Sequence, residues 1–155
     1  MKHRFALPAL LALALLAPLL SGCGKDQALG VYNAAVEAAG ALALDRPAEL
    51  SGDLSRAQDG YTGSYQAAPE AYTGTELLFG GTSIDKAADE AVQVSCTLSA
   101  KAGSARLFYQ LGGAEPVYLL EGPGAYEGGV PTPPGSCYIG LEYEGFSGAV
   151  ALSVS

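Results

Sequence analysis

Ala91-Val-Gln-Val-Ser-Cys-Thr-Leu98 alternates without interruption: Val92, Val94, Cys96 and Leu98 fall in one phase, Gln93, Ser95 and Thr97 in the other. Successive side chains of an extended chain point to opposite faces, so this pattern describes a strand with one face in a core and one in water. The same logic runs downstream. Gly103-Ser104 punctuates, and Ala105-Arg-Leu-Phe-Tyr-Gln-Leu111 predicts a further strand. Leu111 to Pro116 and Gly122-Pro-Gly124 are turn signals on either side of Val117-Tyr-Leu-Leu-Glu121. Ala125 to Val130 follows, then a stiff connection at Pro131-Thr-Pro-Pro-Gly135. Ser136 to Glu144 alternates again through Cys137, Ile139, Leu141 and Tyr143. Glu144 to Gly148 then predicts a turn into a last strand with Val150, Leu152 and Val154 in phase.

Upstream, Tyr61-Thr-Gly-Ser-Tyr65 and Tyr72-Thr-Gly-Thr-Glu76 repeat a Tyr-Thr-Gly pattern around Ala68-Pro69-Glu70, which predicts a hairpin. Glu76 to Thr82 ends in Gly80-Gly81, read as a turn, since neither a Gly-x-x-x-x-Gly-Lys nor a Gly-x-Gly-x-x-Gly motif is present. Short strands separated by turn signals predict an all-β fold, an antiparallel β-sandwich of about seven to eight short strands over residues 50–155. No helical stretches intervene between the strands, which excludes a parallel α/β sheet.

The N-terminus follows a different pattern. Lys2, His3 and Arg4 precede an apolar run from Phe5 to Leu20 that carries Pro8 and Pro18. A charged start, a short apolar run and small residues at a cut site are the parts of an export signal. The run is shorter than the roughly 20 residues of a spanning helix. Leu20-Ser21-Gly22-Cys23 resembles the lipobox of bacterial lipoproteins. The resemblance implies cleavage of residues 1–22, diacylation of Cys23, and a protein on the extracytoplasmic face of a cell membrane. One acyl chain holds only marginally, so two or more are what make such an anchor stable. Residues 23–49 are then a lipid-anchored helical spacer. Leu29, Tyr32, Val36, Ala39 and Ala43 fall at helical spacing, Asp26 is the expected N-cap, and Asp45-Arg46-Pro47 is the expected stop.

Composition narrows function. The net charge is -8, and loss of Lys2 and Arg4 leaves the mature chain near -10, which argues against nucleic acid and against a polybasic hold on lipid headgroups. An apolar fraction of 49% is too high for a solvated coil. The single histidine, His3, leaves with the signal, so Ser-His-Asp and Cys-His machinery are excluded. No cofactor and no metal site are expected.

Residues 50–155 resemble the small β-sandwich modules of uncharacterised lipoproteins of anaerobic Gram-positive bacteria. The likeness rests on Gly74–Thr82, Val94-Ser-Cys96, Gly103–Tyr109, Cys137-Tyr-Ile-Gly140 and Phe146-Ser-Gly148. It implies a pattern of strands and turns and carries no activity.

Three groups of residues are candidates for chemistry. Cys96 and Cys137 are the cysteines of an exported chain beyond its lipid Cys, and such cysteines are expected to pair as a disulfide; an anaerobic host would instead leave two buried thiols. Carboxylates cluster at Asp85, Asp89 and Glu90, read as a solvated loop because the spacing is not that of an EF-hand. Glu142 and Glu144 share one strand phase, the arrangement a carboxylate-dependent glycosidase needs. Tyrosines are the better lead. Tyr61 and Tyr65 are expected on one strand face and Tyr138 on an outward one, as contacts for a sugar ring or peptide. The expectation is a non-catalytic surface module contacting glycan or an envelope protein. A structural or assembly lipoprotein of the envelope is the alternative, and a glycoside hydrolase a weaker one.

Overall fold

The computed structural model describes residues 25–46, 49–84 and 86–155. The signal peptide expected over 1–22 and the lipid-bearing Cys23 lie outside the described residues. The chain divides into two compact units between Ala34 and Ala35, and helix α1 (Lys25–Ala41) runs across the division. Asp26, the expected N-cap, falls within the bounds of α1. After Ala41 the chain tightens, with Leu42 N donating to Ala38 O and Ala43 N to Gly40 O, both at 3.2 Å. None of the helices among the described residues is long and apolar enough to cross a membrane.

The second unit is a sandwich-like, all-β fold made from one antiparallel sheet of seven strands: β1 (Gly52–Arg56), β2 (Gly63–Ala67), β3 (Tyr72–Ser83), β4 (Ala91–Leu111), β5 (Val117–Glu121), β6 (Gly124–Pro131) and β7 (Gly135–Val154). Two of these strands are long enough to belong to both layers. The first half of β4 pairs with β6 and with the second half of β7, and that half of β7 pairs with β2, whose other neighbour is β1. The second half of β4 pairs with β5 and with the first half of β7, which pairs with β3. A strand that changes sheets at a bend forms the corner of a sandwich. The bend lies where the β4–β7 register shifts, between Ala100, Ala102 and Ser104 opposite Glu144 to Gly148.

Glycine permits that corner. Gly103 has φ +68°, and a Cβ there would stand 2.2 Å from Gly145 O; a Cβ on Gly148 would stand 2.0 Å from Ser99 O. Side chains other than hydrogen do not fit such a crossing. The two glycine-rich stretches read from the sequence as turns, Gly103-Ser104 and Glu144–Gly148, are therefore bends inside single strands of 21 and 20 residues.

Two further expectations are corrected. β2 and β3 form no hairpin: β2 pairs β1 and the second half of β7, and β3 pairs the first half. The connection Ala68–Ala71 passes the chain from one layer to the other, with Ala71 in the left-handed region at φ 50°. Gly80-Gly81 is likewise no turn but the interior of β3, opposite Tyr138 and Cys137.

The core lies between the layers. Val94, Cys96, Leu98, Val150, Leu152 and Tyr65 from one meet Leu78, Phe79, Leu107, Ile139 and Leu141 from the other. One polar bridge crosses it. Glu76 on β3 is 1% exposed and accepts from the Tyr65 hydroxyl of β2 and from Ser51 N, both at 2.6 Å. Among the described residues no ion pair reaches Glu76, so these hydrogen bonds are what offset its burial. Cys96 and Cys137 are not joined: both are free, buried thiols, Cys96 opposite Tyr126 and Leu152, Cys137 opposite Gly81 and Leu111. The expected disulfide is absent because the two strands place these cysteines at different points of one core, where they pack as small apolar groups. Burial raises both thiols, Cys96 to about 12 and Cys137 to about 11, which leaves them unreactive near neutrality.

Candidate functional site

β3 is an edge strand, paired only with β7, and an uncovered edge is an open template for other chains. Asp45, Arg56 and Gly60 cover it. Asp45 N donates to Leu77 O at 3.1 Å, and Leu77 N donates to Asp45 Oδ2 at 2.7 Å. Arg56 Nε donates to Leu78 O at 2.7 Å, and Gly80 N to Gly60 O at 2.8 Å. Covering the edge in this way leaves a cleft beside it, of about 610 Å³.

The floor of the cleft is set by the β1–β2 turn. Gly60 N donates to Ala57 O at 3.1 Å, and Gly60 takes φ +75°, a conformation glycine adopts without strain. Asp59 holds the turn from its side chain. Its Oδ1 accepts from Tyr61 N at 2.9 Å and Thr62 N at 3.1 Å, and the Thr62 hydroxyl reaches both carboxylate oxygens. Burial opposes ionisation of Asp59, but these hydrogen bonds prevail and hold its carboxyl below the usual range. The turn delivers Tyr61 against Gly80-Gly81, where the ring is only 5% exposed. A Cβ on Gly81 would stand 3.9 Å from the ring, so the backbone of β3 forms one wall of the cleft.

Charge is gathered on the other walls. Lys86 places its Nζ 4.0 Å from the centroid of the Tyr61 ring and 2.8 Å from Glu90 Oε1. An ammonium over an aromatic face is attracted by the ring's negative quadrupole. Glu90 is held below the usual carboxylate range by its hydrogen bond from Lys86. Glu37 and Leu44 come from the end of α1 and the turn beyond it, and Arg56 from β1. Burial lowers the Arg56 guanidinium against the opposing pull of Asp45. The Tyr61 hydroxyl is buried with no hydrogen-bond partner, and its pKa is pushed up to about 12, first by burial and then by neighbours that include Cys137, Tyr138, Glu37 and Glu90.

The three tyrosines named from the sequence do not form one contact surface. Tyr61 lies in the turn before β2 and lines the cleft. Tyr65 is 0% exposed, with its hydroxyl spent on Glu76 and shared with Ser51 Oγ at 3.0 Å, so it meets no ligand from solvent. Tyr138 is half-buried and donates to Gly40 O at 3.3 Å, tying the end of α1 to β7. Its phase does point outward, but the outward side is covered there. Glu142 is occupied as well: its Oε1 pairs with Arg106 Nη2 at 3.0 Å, and its Oε2 accepts from Tyr118 at 2.8 Å. Glu144, its proposed catalytic partner, is exposed. Asp85 lies outside the described residues, and Glu90 is engaged by Lys86. Among the described residues no group of three His, Cys, Asp or Glu side chains could hold a metal ion.

Lys86, Arg56, Asp59 and Glu37 were not legible as parts of one site. The Lys86–Glu90 spacing and the Asp59-Gly60 turn are each visible in the sequence, but only the pairing of Gly80 with Gly60 brings them to the same place. No protein-family model matches the chain, and no curated protein does.

Proposed function

We propose that this chain is an extracytoplasmic lipoprotein, held to a membrane by acylated Cys23, whose sheet domain binds a small ligand or a segment of an envelope component in the cleft beside Tyr61. The observation that carries the reading is the cleft itself. At about 610 Å³ it falls within the ~300–1,000 Å³ range of small-molecule sites, and it combines a fixed aromatic ring with a few charged groups on a rigid sheet edge. The anchor is supported by the Leu20–Cys23 lipobox resemblance. The role is binding without catalysis, in keeping with a chain whose only histidine lies at position 3 and whose Glu142 has both carboxylate oxygens engaged.

The test uses the full chain expressed in a bacterium and extracted in detergent. Metabolic labelling with a clickable fatty acid should mark the wild type and leave Cys23→Ala unmarked; a labelled Cys23→Ala would overturn the anchor. Envelope fragments, both neutral glycans and stem peptides, should raise the melting temperature of the wild type and not that of Tyr61→Ala. A shift that survives Tyr61→Ala would move binding away from the cleft, and no shift with any fragment would remove the binding role.

A further inference from the structure

Resting on the binding role proposed for the Tyr61 cleft, we infer that the cleft recognises a primary ammonium group, as carried by a lysine or diamino-acid side chain of a peptide, and that Lys86 occupies the ammonium seat until such a ligand displaces it.

The seat is already built and already filled by the chain itself. The Lys86 ammonium lies 4.0 Å from the Tyr61 centroid with Glu90 Oε1 at 2.8 Å on its flank. An aromatic face together with a carboxylate is the pairing that binds an alkylammonium, one by its quadrupole and the other by a charge-assisted hydrogen bond. Lys86 does not fill the cleft, since about 610 Å³ stays open with Lys86 as one of the lining side chains. The anchorage is also easy to exchange. The Glu90 side chain is 43% exposed against 15% for Lys86, so water competes directly for the carboxylate end of the pair.

The remaining charges select the sign of the ligand. Among the described residues the cleft is lined by three carboxylates, Glu37, Asp59 and Glu90, against two cations, Arg56 and Lys86. Asp59 is committed to the turn through Tyr61 N, Thr62 N and the Thr62 hydroxyl. Arg56 is partly committed, its Nε to Leu78 O and its Nη2 to Asp45 O at 3.3 Å, which ties its guanidinium to the backbone beside the edge of β3. Among the described residues, the aromatic and acidic side chains of the cleft left to meet a ligand are Tyr61, Glu37 and Glu90. Displaced Lys86 would swing to solvent on the segment before β4, and the net charge of -8 draws cations toward the protein at low salt.

The chain's own lysine acts as a competitor at this seat, and a site available only part of the time binds in proportion to that fraction. Calorimetric titration of the detergent-solubilised full chain with Nα-acetyl-lysine methylamide tests this, with Nα-acetyl-norleucine methylamide as the uncharged control and N-acetylglucosamine as a neutral sugar. Lys86→Met keeps most of the apolar stem and removes the ammonium. It should bind the lysine probe about tenfold more tightly than wild type does. Lys86→Gln serves the same purpose should the Met variant melt at a lower temperature. Glu90→Gln introduced into the Lys86→Met background should lose most of the gain. Unchanged or weaker affinity in both Lys86 variants would overturn the inference, as would equal binding of the norleucine control. Binding of N-acetylglucosamine without the lysine probe would overturn the ammonium seat and leave the cleft a binding site. Silence toward every probe would overturn both.

Discussion

Residues 91–98 and 76–81 are both strand, yet they behave oppositely. Along 91–98, exposed and buried residues alternate one for one, because the outer face of that layer is open to water. Its outer surface is small and hydroxylated: Ser55, Ser64, Ser153 and Ser95 stand in register across four strands and are all exposed. Along 76–81, five of six residues are buried, because the opposite layer covers one face of β3 and Asp45, Arg56 and Gly60 cover its free edge. The cleft lies on the second region and not on the first. A sheet face that only needs to be soluble leaves no enclosure, whereas an edge that must be covered creates walls, turns and fixed side chains with space between them.

Substitutions that break the crowded region should have the largest effect. Gly80 has φ +121°, and a Cβ there would stand 2.0 Å from Cys137 O, so Gly80→Ala should cost at least about 3 kcal/mol in urea unfolding. The polar bridge between the layers is next. Glu76→Ala leaves Ser51 N and the buried Tyr65 hydroxyl without their acceptor and should cost about 2–4 kcal/mol, whereas Tyr65→Phe should cost about 1–2 kcal/mol.

A pH titration sharpens the comparison without mutation. Tyr61 has a folded pKa raised from 10.0 to about 12, so the fold binds its proton more tightly than the unfolded chain does. The stability this supplies is complete below pH 10 and is lost as pH rises through about 12. The melting temperature of the wild type should therefore fall across that window, and Tyr61→Phe should fall less steeply. Absorbance at 295 nm should show Tyr61, Tyr65 and Tyr143 ionising only with unfolding, since burial raises all three.

The open face should tolerate change. Ser153→Thr, in the middle of the serine row, should shift stability by no more than about 0.5 kcal/mol. The smallest effect is expected from reductant. With Cys96 and Cys137 both free, dithiothreitol should leave the melting temperature unchanged, and a thiol reagent at pH 8 should react with these two cysteines only after denaturation.

How much was legible follows the same division. The phase of Val92 to Leu98 and of Val150 to Val154 was readable because water on one side imposes a period of two. β3 was not, since a strand covered on more than one side loses its alternation and its Gly80-Gly81 then reads as punctuation. Tyr65 and Tyr61 carried the same sequence signal, yet one is a buried donor to Glu76 and the other a wall of the cleft. Which of them borders the cleft depends on what the opposite layer brings.

The sequence by itself determined the all-β class and the phase of the open layer, because turn residues and alternating hydrophobicity are local properties of the chain. Tertiary structure alone decided that Gly103 and Gly145–Gly148 are bends within two shared strands, that Cys96 and Cys137 stay apart, and that Lys86 rests on Tyr61. Each of these depends on the pairing of residues distant in sequence, through the long strands β4 and β7 or the covered edge of β3. No local pattern encodes which backbone will lie within 3 Å of a given glycine, or which ring will lie beneath a given ammonium.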